Sequence, residues 1–209
     1  MLLVWAASKK LSDITGSYHQ KRAAQAVHMG SHDVFGTSNQ HIGIVIFAGH
    51  DSSLLTGAHG HHFQNSHFGM LYATISGGAA AGAGRRFNRE LTELTGLPTA
   101  GLRLTGEINH DRDTNLTNKG FWYNLNVHNV STINNLFTRT HFYQAHYQGR
   151  VAYGALPAAH SRYFNSSSFA YGLLRASGIT RPNLNNTGLS FPGWSKPLPN
   201  RAFTVVPQI

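Results

Sequence analysis

Residues 41–47 restrict the fold of this chain more than any other stretch. His41-Ile-Gly-Ile-Val-Ile-Phe47 is almost wholly apolar and rich in β-branched residues, a pattern typical of a β-strand. Because side chains alternate between the two faces of a strand, His41 shares its face with Val45 and Phe47, and the isoleucines occupy the other face. The sequence therefore predicts a strand that opens with a histidine.

Further segments have the periodicity of regular elements. Strands are predicted over residues 70–75, 101–108 and 121–127, and a helix capped by Ser131 is predicted to run to about Tyr147. Weaker signals predict a short helix over 23–29, a helical piece over 89–94 and a flexible Gly/Ala connector over 76–84. Together with the helix described next, these elements predict one α+β domain with two main helices packed on an antiparallel sheet.

The second main helix is predicted over residues 166–177, and its start carries candidate chemistry. Asn165 is a good N-cap, and Gly178 ends the run. Ser166 then lies in the first turn, where free backbone N–H groups and the positive end of the helix dipole stabilise an oxyanion. With His41 as its base, Ser166 is a candidate nucleophile. The alternative is that the serines only cap the helix.

Composition divides the chain into three segments. Residues 1–38 show weak periodicity and are predicted to be an N-terminal arm or linker. Residues 39–180 hold the predicted strands and both main helices, so they are predicted to be the catalytic-like domain. Residues 181–209 contain five of the seven prolines, interleaved with aromatic residues, which predicts an extended Pro/aromatic tail packed on that domain.

Charge is distributed unevenly along the chain, whose formal net charge is +9. Residues 114–209 contain eight Lys or Arg and no Asp or Glu, whereas residues 1–113 carry nine basic and eight acidic groups. Such a one-signed field attracts nucleic acid, phospholipid, cell-wall polymer or an acidic immunity-type protein, unless it serves solubility alone. Any catalytic carboxylate must come from the eight acidic residues, which are Asp13, Asp33, Asp51, Glu90, Glu93, Glu107, Asp111 and Asp113.

Composition also excludes several kinds of site. Without cysteine the chain has no disulfide, no thiolate metal site and no Cys nucleophile. The apolar run over residues 1–7 is too short to span a bilayer and lacks the basic leader of a signal peptide, so we expect no transmembrane segment. Only 12% of the residues are charged, about half the usual share, which favours a secreted or periplasmic protein.

Two motifs resemble a known group of hydrolases. Asn165-Ser-Ser-Ser-Phe169 at a helix start, with His41-Ile-Gly-Ile on an upstream strand, is similar to circularly permuted papain-like enzymes, which include NlpC-type amidases and lecithin–retinol-acyltransferase-like proteins. On this resemblance Ser166 takes the nucleophile position, usually Cys, Asn165 takes the position of the preceding Asn, and His41 is the base. The polar group that orients the imidazole is then implied to be His62, Gln64 or Thr74.

A longer stretch, from His41 to Phe203, is similar to C-terminal domains of bacterial Rhs-type and polymorphic-toxin-like proteins, which often have Ser in place of Cys. The segments that carry this resemblance are Ile75-Ser-Gly-Gly78, Asn109 to Leu116, Tyr153-Gly-Ala-Leu-Pro157, Phe164-Asn-Ser-Ser-Ser-Phe169 and Pro192-Gly-Trp-Ser-Lys-Pro197. It implies a permuted papain-like fold and hydrolysis or acyl transfer at an amide or ester bond, by an effector delivered into a target cell. We expect no cofactor and no metal ion in that site.

Three alternatives remain open from the sequence. His59-Gly-His-His62, with His50 and His67, matches the ligand chemistry of Zn, Ni or Cu, although a His-rich hydrophilic loop is the preferred interpretation. Glu107, His110, Asp111 and Asp113 form the densest acid–His group, which fits a metal-dependent nuclease or, as we prefer, a turn. A chain that performs no chemistry would instead be a basic binding module for nucleic acid, anionic lipid or an acidic protein.

Overall fold

An antiparallel β-sheet forms the centre of the molecule. A computed structural model describes residues 26–33, 40–49, 53–67, 70–80, 102–110, 113, 122–154, 156–157, 159–185 and 187–204. The strands of this part of the chain are β1 (Ala26–Asp33), β2 (Gln40–Phe47), β3 (Asn65–His67), β4 (Met70–Ala80), β5 (Arg103–Ile108) and β6 (Trp122–Asn124). Its helices are α1 (Ser53–Thr56), α2 (Val130–His146) and α3 (Ser166–Ala176), with 3-10 turns at Gly60–His62 and Asn200–Ala202. The predicted α+β class is confirmed.

The order of the strands places the apolar segment of β2 in the middle of the sheet. Strands follow one another as β3-β4-β2-β1-β6, and β5 pairs with the second part of β4. Each pairing between these strands is antiparallel. β2 is buried over its whole length, which is the position that a run of β-branched residues suits best.

Two segments differ from the elements predicted for them. The helix predicted over residues 23–29 is wrong from Ala26 onward, because Ala26–Asp33 forms β1 and pairs along its whole length with β2; residues 23–25 lie outside the described residues. Pairing with a buried neighbour outweighs a weak helix propensity. The flexible connector predicted over residues 76–84 is wrong as far as Ala80, which is the last residue of β4. The helical piece predicted over residues 89–94 lies outside the described residues.

The two faces of the sheet differ in character. Ile44 and its register partner Ile75 lie on what we call the helix face, where α2 and α3 pack. Because side chains alternate, Gly43 and its register partner Ser76 point to the opposite side, which we call the polar face. His41 lies two residues before Gly43 and therefore shares the polar face.

Gly77 in β4 shows how closely α3 approaches the helix face. A Cβ atom at this position would lie 2.6 Å from Phe169 Cβ and 3.2 Å from Ser166 Cα. Gly106, its register partner on β5, is covered in the same way by Tyr143 and Phe169. The rings of Tyr143 and Phe169 meet edge to face, with centroids 5.1 Å apart. Both long helices can lie directly on the sheet because these two positions carry no side chain.

The described residues 181–204 add to the same hydrophobic core. Trp194, Leu198 and Phe203 are buried. The Leu198 N–H donates to the carbonyl of Ser168 at 2.9 Å, which joins this segment to the first turn of α3. The segment therefore covers the outer side of α3.

Candidate functional site

His41, Asp113 and Ser76 form a continuous array of polar contacts on the polar face. His41 Nε2 lies 3.3 Å from Asp113 Oδ1, and the Ser76 hydroxyl donates to Asp113 Oδ2 at 2.5 Å. All three residues are buried, but 10% of the His41 side chain remains exposed to solvent. A carboxylate held in this way fixes the tautomer and the orientation of the imidazole beside it.

The turn after β5 brings Asp113 over the polar face. Asn109 has a φ of 55°, a left-handed conformation that Asn tolerates better than most residues. Its N–H donates to the carbonyl of Thr74, and its side-chain oxygen accepts from the Thr74 N–H, both at 2.9 Å. The Asp113 N–H then donates to the carbonyl of His110 at 2.8 Å. Asn109 thus fastens the chain after β5 to β4, and Asp113 contacts His41.

A second imidazole–carboxylate pair lies beside this array. Glu107 is the register partner of Ser76, and its carboxylate lies over Gly78, where a Cβ atom would be 2.5 Å from Oε1. The Thr105 hydroxyl donates to the same oxygen at 2.7 Å, and His110 Nε2 lies 3.5 Å from Oε2. The polar face therefore holds two carboxylates, each paired with a histidine.

His28 lies on the polar face of β1, away from the array. Burial, with a smaller contribution from His128, lowers the pKa of His28 from 6.5 to about 4. Its ring packs edge-on against Phe47, with centroids 5.7 Å apart. His28 is therefore neutral at neutral pH. Burial also raises the pKa of the Tyr72 hydroxyl on the same face.

Ser166, the predicted nucleophile, lies on the helix face. Its Cα atom packs against Gly77, whereas the neighbouring Ser76 points to the polar face and contacts Asp113. The structure does not bring Ser166 and His41 together, because the sheet separates them. Ser166 is also buried, with 4% of its surface exposed.

Asn165, which the resemblance places next to the nucleophile, caps α3. Its side-chain oxygen accepts from the Ser168 N–H at 3.0 Å, and its Nδ2 donates to the carbonyl of Pro192 at 2.7 Å. The adjacent Gly193 has a φ of 81°, and a Cβ atom there would collide with the Asn165 amide. One amide group therefore joins the start of α3 to the C-terminal segment.

The three residues implied by the resemblance as the orienting group make other contacts. His62 Nε2 lies 2.9 Å from His141 Nε2, and Gln64 donates to the carbonyl of His61. The Thr74 hydroxyl is buried without a hydrogen-bond partner among the described residues. Asp113 contacts His41 instead. The sequence signal that could have identified it is its position as the last of only eight acidic residues.

The acid–His group that suggested a nuclease divides into two pairs in the structure. Glu107 pairs with His110, and Asp113 pairs with His41. Asp111 lies outside the described residues. Within the described part of the chain, the group with three metal-ligating atoms in mutual reach consists of histidines alone and lies elsewhere.

Comparison of the chain with protein-family models, curated proteins and solved structures gives no match. Among the described residues, no helix has the length and hydropathy needed to cross a bilayer.

Proposed function

We propose that this chain is a hydrolase of ester or amide bonds, in which His41 is the general base and Asp113 is the carboxylate that orients it. The His41–Asp113–Ser76 array is the observation that carries the proposal. A base must be held in a fixed orientation and must reach solvent or substrate. His41 meets both requirements, since it contacts a buried carboxylate and remains partly exposed.

The hydrogen-bonding capacity of the array determines which ring nitrogen takes the proton. Ionised Asp113 can only accept hydrogen bonds, so His41 donates from Nε2 and carries its lone pair on Nδ1. Ser76 donates to the second carboxylate oxygen and keeps the carboxylate in place. When Nδ1 takes a proton, the adjacent negative charge stabilises the imidazolium.

Water is the nucleophile that this geometry favours. His41 Nδ1 takes a proton from a water molecule, whose oxygen attacks the carbonyl carbon of the substrate. The tetrahedral intermediate then expels the alcohol or amine, and the imidazolium returns the proton to that leaving group. The Ser76 hydroxyl donates a hydrogen bond to Asp113, and the sheet separates Ser166 from His41. Covalent catalysis by Ser166, acyl transfer and the permuted papain-like arrangement stay predictions that rest on the resemblance.

An anionic substrate or surface suits the charge of the second part of the chain. Of its eight basic residues, Lys196 is engaged internally, since its ammonium donates to the carbonyl of Tyr163 at 3.0 Å. Arg181 lies over the Tyr171 ring at 4.9 Å, which leaves the edge of its guanidinium for an anion. We propose phospholipid or cell-wall substrates for a secreted effector. An acidic immunity-type partner and nucleic acid are proposals from the same charge.

Hydrolysis assays with four single variants test the proposal. The substrates are short- and long-chain nitrophenyl esters, phospholipid vesicles, peptidoglycan fragments and peptide amides. His41→Gln is expected to lower turnover about 10²–10⁴-fold on the cleaved substrate, since it removes the base. Asp113→Asn is expected to lower it by a similar factor, because its amide favours the wrong tautomer of the imidazole. Near-UV circular dichroism checks that each variant is folded.

The other two variants are controls for the identity of the base and of the nucleophile. His110→Gln removes the imidazole of the neighbouring pair and is expected to keep turnover within a few fold of the wild type. Ser166→Ala is expected to do the same, whereas a covalent mechanism through Ser166 requires its turnover to vanish. Wild-type turnover in folded His41→Gln and Asp113→Asn would exclude the array from catalysis.

A further inference from the structure

Three histidines from two separate segments converge beside α2. His59 precedes the 3-10 turn that follows α1, His62 is the last residue of that turn, and His141 lies in α2. His62 Nε2 and His141 Nε2 are 2.9 Å apart, and one ring nitrogen from each of the three residues lies within 4.8 Å of the others. All three side chains are partly exposed, so an ion from solution can reach them.

Gln144 fixes the orientation of His141. Gln144 Nε2 donates to the carbonyl of Gly106 at 3.0 Å, which turns Gln144 Oε1 toward His141 Nδ1, also at 3.0 Å. Because Oε1 can only accept, His141 carries its proton on Nδ1 and presents the lone pair of Nε2 to the cluster. Histidines that bind metals in proteins are commonly oriented by a second hydrogen bond of this kind.

The other two imidazoles pack against the ring of Phe137. Burial, followed by the neighbouring His61, His141 and His59, lowers the pKa of His62 to about 4. Burial and neighbouring histidines also lower the pKa of His59. Both rings stack on Phe137, with centroids 5.3 Å away for His59 and 5.2 Å for His62. Phe137 therefore holds both rings beside His141, so that one nitrogen of each of the three imidazoles converges on the same point.

We propose that His59, His62 and His141 bind one zinc ion, with the fourth coordination position open to solvent. Tetrahedral zinc with Zn–N bonds of about 2.0–2.1 Å places its ligand nitrogens about 3.3 Å apart. The 2.9 Å between the nitrogens of His62 and His141 is a few tenths of an ångström from that spacing. A shell of imidazole nitrogens without carboxylates suits zinc and not magnesium or calcium.

The ion fastens the segment after α1 to α2. The effect extends to the turn after β5, because Asn109 Nδ2 donates to the carbonyl of His62 at 2.5 Å. Asn109 is also the residue that ties that turn to β4. Zinc binding is therefore expected to raise the stability of the chain, since the three imidazoles converge in the folded form.

Competition titration of the full, untagged chain with Zn²⁺ and a chromophoric chelator tests the site. One equivalent of zinc is expected to bind the wild-type protein, with a rise in melting temperature, whereas Mg²⁺ alone gives neither. His62→Gln and His141→Gln are each expected to weaken zinc binding at least about 100-fold. Loss of a ligand costs more affinity than loss of a hydrogen bond that orients a ligand, which lowers metal affinity about 10–100-fold. Gln144→Leu is expected to fall in that smaller range.

His61→Gln is the matched control, because His61 is exposed and adjacent in sequence but outside the three-histidine group. It is expected to keep the wild-type affinity. Equal weakening in His61→Gln, unchanged affinity in both ligand variants, or no stoichiometric binding would overturn the proposal. X-ray absorption of the zinc-loaded wild type does not depend on variant folding. Three imidazoles at about 2.0–2.1 Å support the site, and a shell of oxygens alone refutes it.

Discussion

Replacing Gly77 by alanine tests how α3 lies on the sheet, and with it the separation of Ser166 from His41. The new methyl carbon would lie 2.6 Å from Phe169 Cβ, whereas carbon atoms in contact are normally about 3.5–4.0 Å apart. A rotamer change cannot relieve this contact, because both atoms are fixed to backbone, so β4 and α3 must separate by about 1 Å. Overpacking of this kind costs about 1–3 kcal/mol, and the rigid case belongs at the upper end.

Gly43→Ala is the matched control on the neighbouring strand and the opposite face. Its Cβ atom would have nothing closer than 3.9 Å, so we expect a change within about 1 kcal/mol, with a small gain from the less flexible unfolded chain. Thermal and urea unfolding, followed by far-UV circular dichroism, compare the two variants. At about 2–4 °C per kcal/mol for a chain of this size, Gly77→Ala should melt roughly 5–10 °C below the wild type. If both variants melt together, α3 does not rest on Gly77, and the assignment of Ser166 to the helix face fails.

Two further stability measurements follow from the structure. Asn165→Ala removes the N-cap of α3 and leaves the carbonyl of Pro192 without this partner, so we expect the free energy of unfolding in urea to fall by about 2–3 kcal/mol. Asn165→Asp keeps the cap oxygen and should lose less stability. Equal losses in the two variants would contradict the capping role of Asn165. The pKa of His28 is about 4 in the folded chain and 6.5 in the unfolded chain, so the unfolded chain binds more protons between pH 4 and pH 6.5. The free energy of unfolding is therefore expected to fall by up to about 3 kcal/mol as the pH drops from 6.5 to 4. His28→Phe should make this pH dependence shallower, and an unchanged slope would show that His28 is protonated in the fold.

The elements that depend on local signals could be predicted from the sequence. The helix predicted from residue 131 is observed as Val130–His146, although its cap is Asn129, whose side chain accepts from the Ser131 N–H at 2.8 Å. The helix predicted over 166–177 begins at its predicted cap and ends one residue early. Capping and periodicity act within a few turns, so one segment is enough to reveal them.

The elements that depend on distant partners could not be predicted in the same way. Ala26–Asp33 is a strand because β2 and β6 lie on either side of it. β4 continues through its glycines because Phe169 and Glu107 approach them from opposite faces. The face on which a helix packs is likewise set by the whole sheet, which is why the motifs around His41 and Ser166 did not reveal their separation.

The contact of Asp113 with His41 belongs to the same class. Seventy-two positions separate the two residues, as 113 minus 41, and the carboxylate reaches the imidazole through a turn fastened to β4. The convergence of His141 on His62 also joins segments that are distant in sequence. The residue types in both clusters could be recognised from the sequence, but the contacts between them depend on the fold.

Because Gly77 and Gly106 carry no side chain, only the backbone of the sheet lies between α3 and the side of the sheet on which Asp113 is buried. Ser76 and Gly77 share one planar peptide group, so the residue that donates a hydrogen bond to Asp113 is joined rigidly to the residue against which α3 packs. A displacement of Gly77 by α3 therefore also moves Ser76. We therefore expect a substitution that displaces α3 from Gly77 to change the contact between Asp113 and His41 as well, although α3 and His41 lie on opposite faces of the sheet.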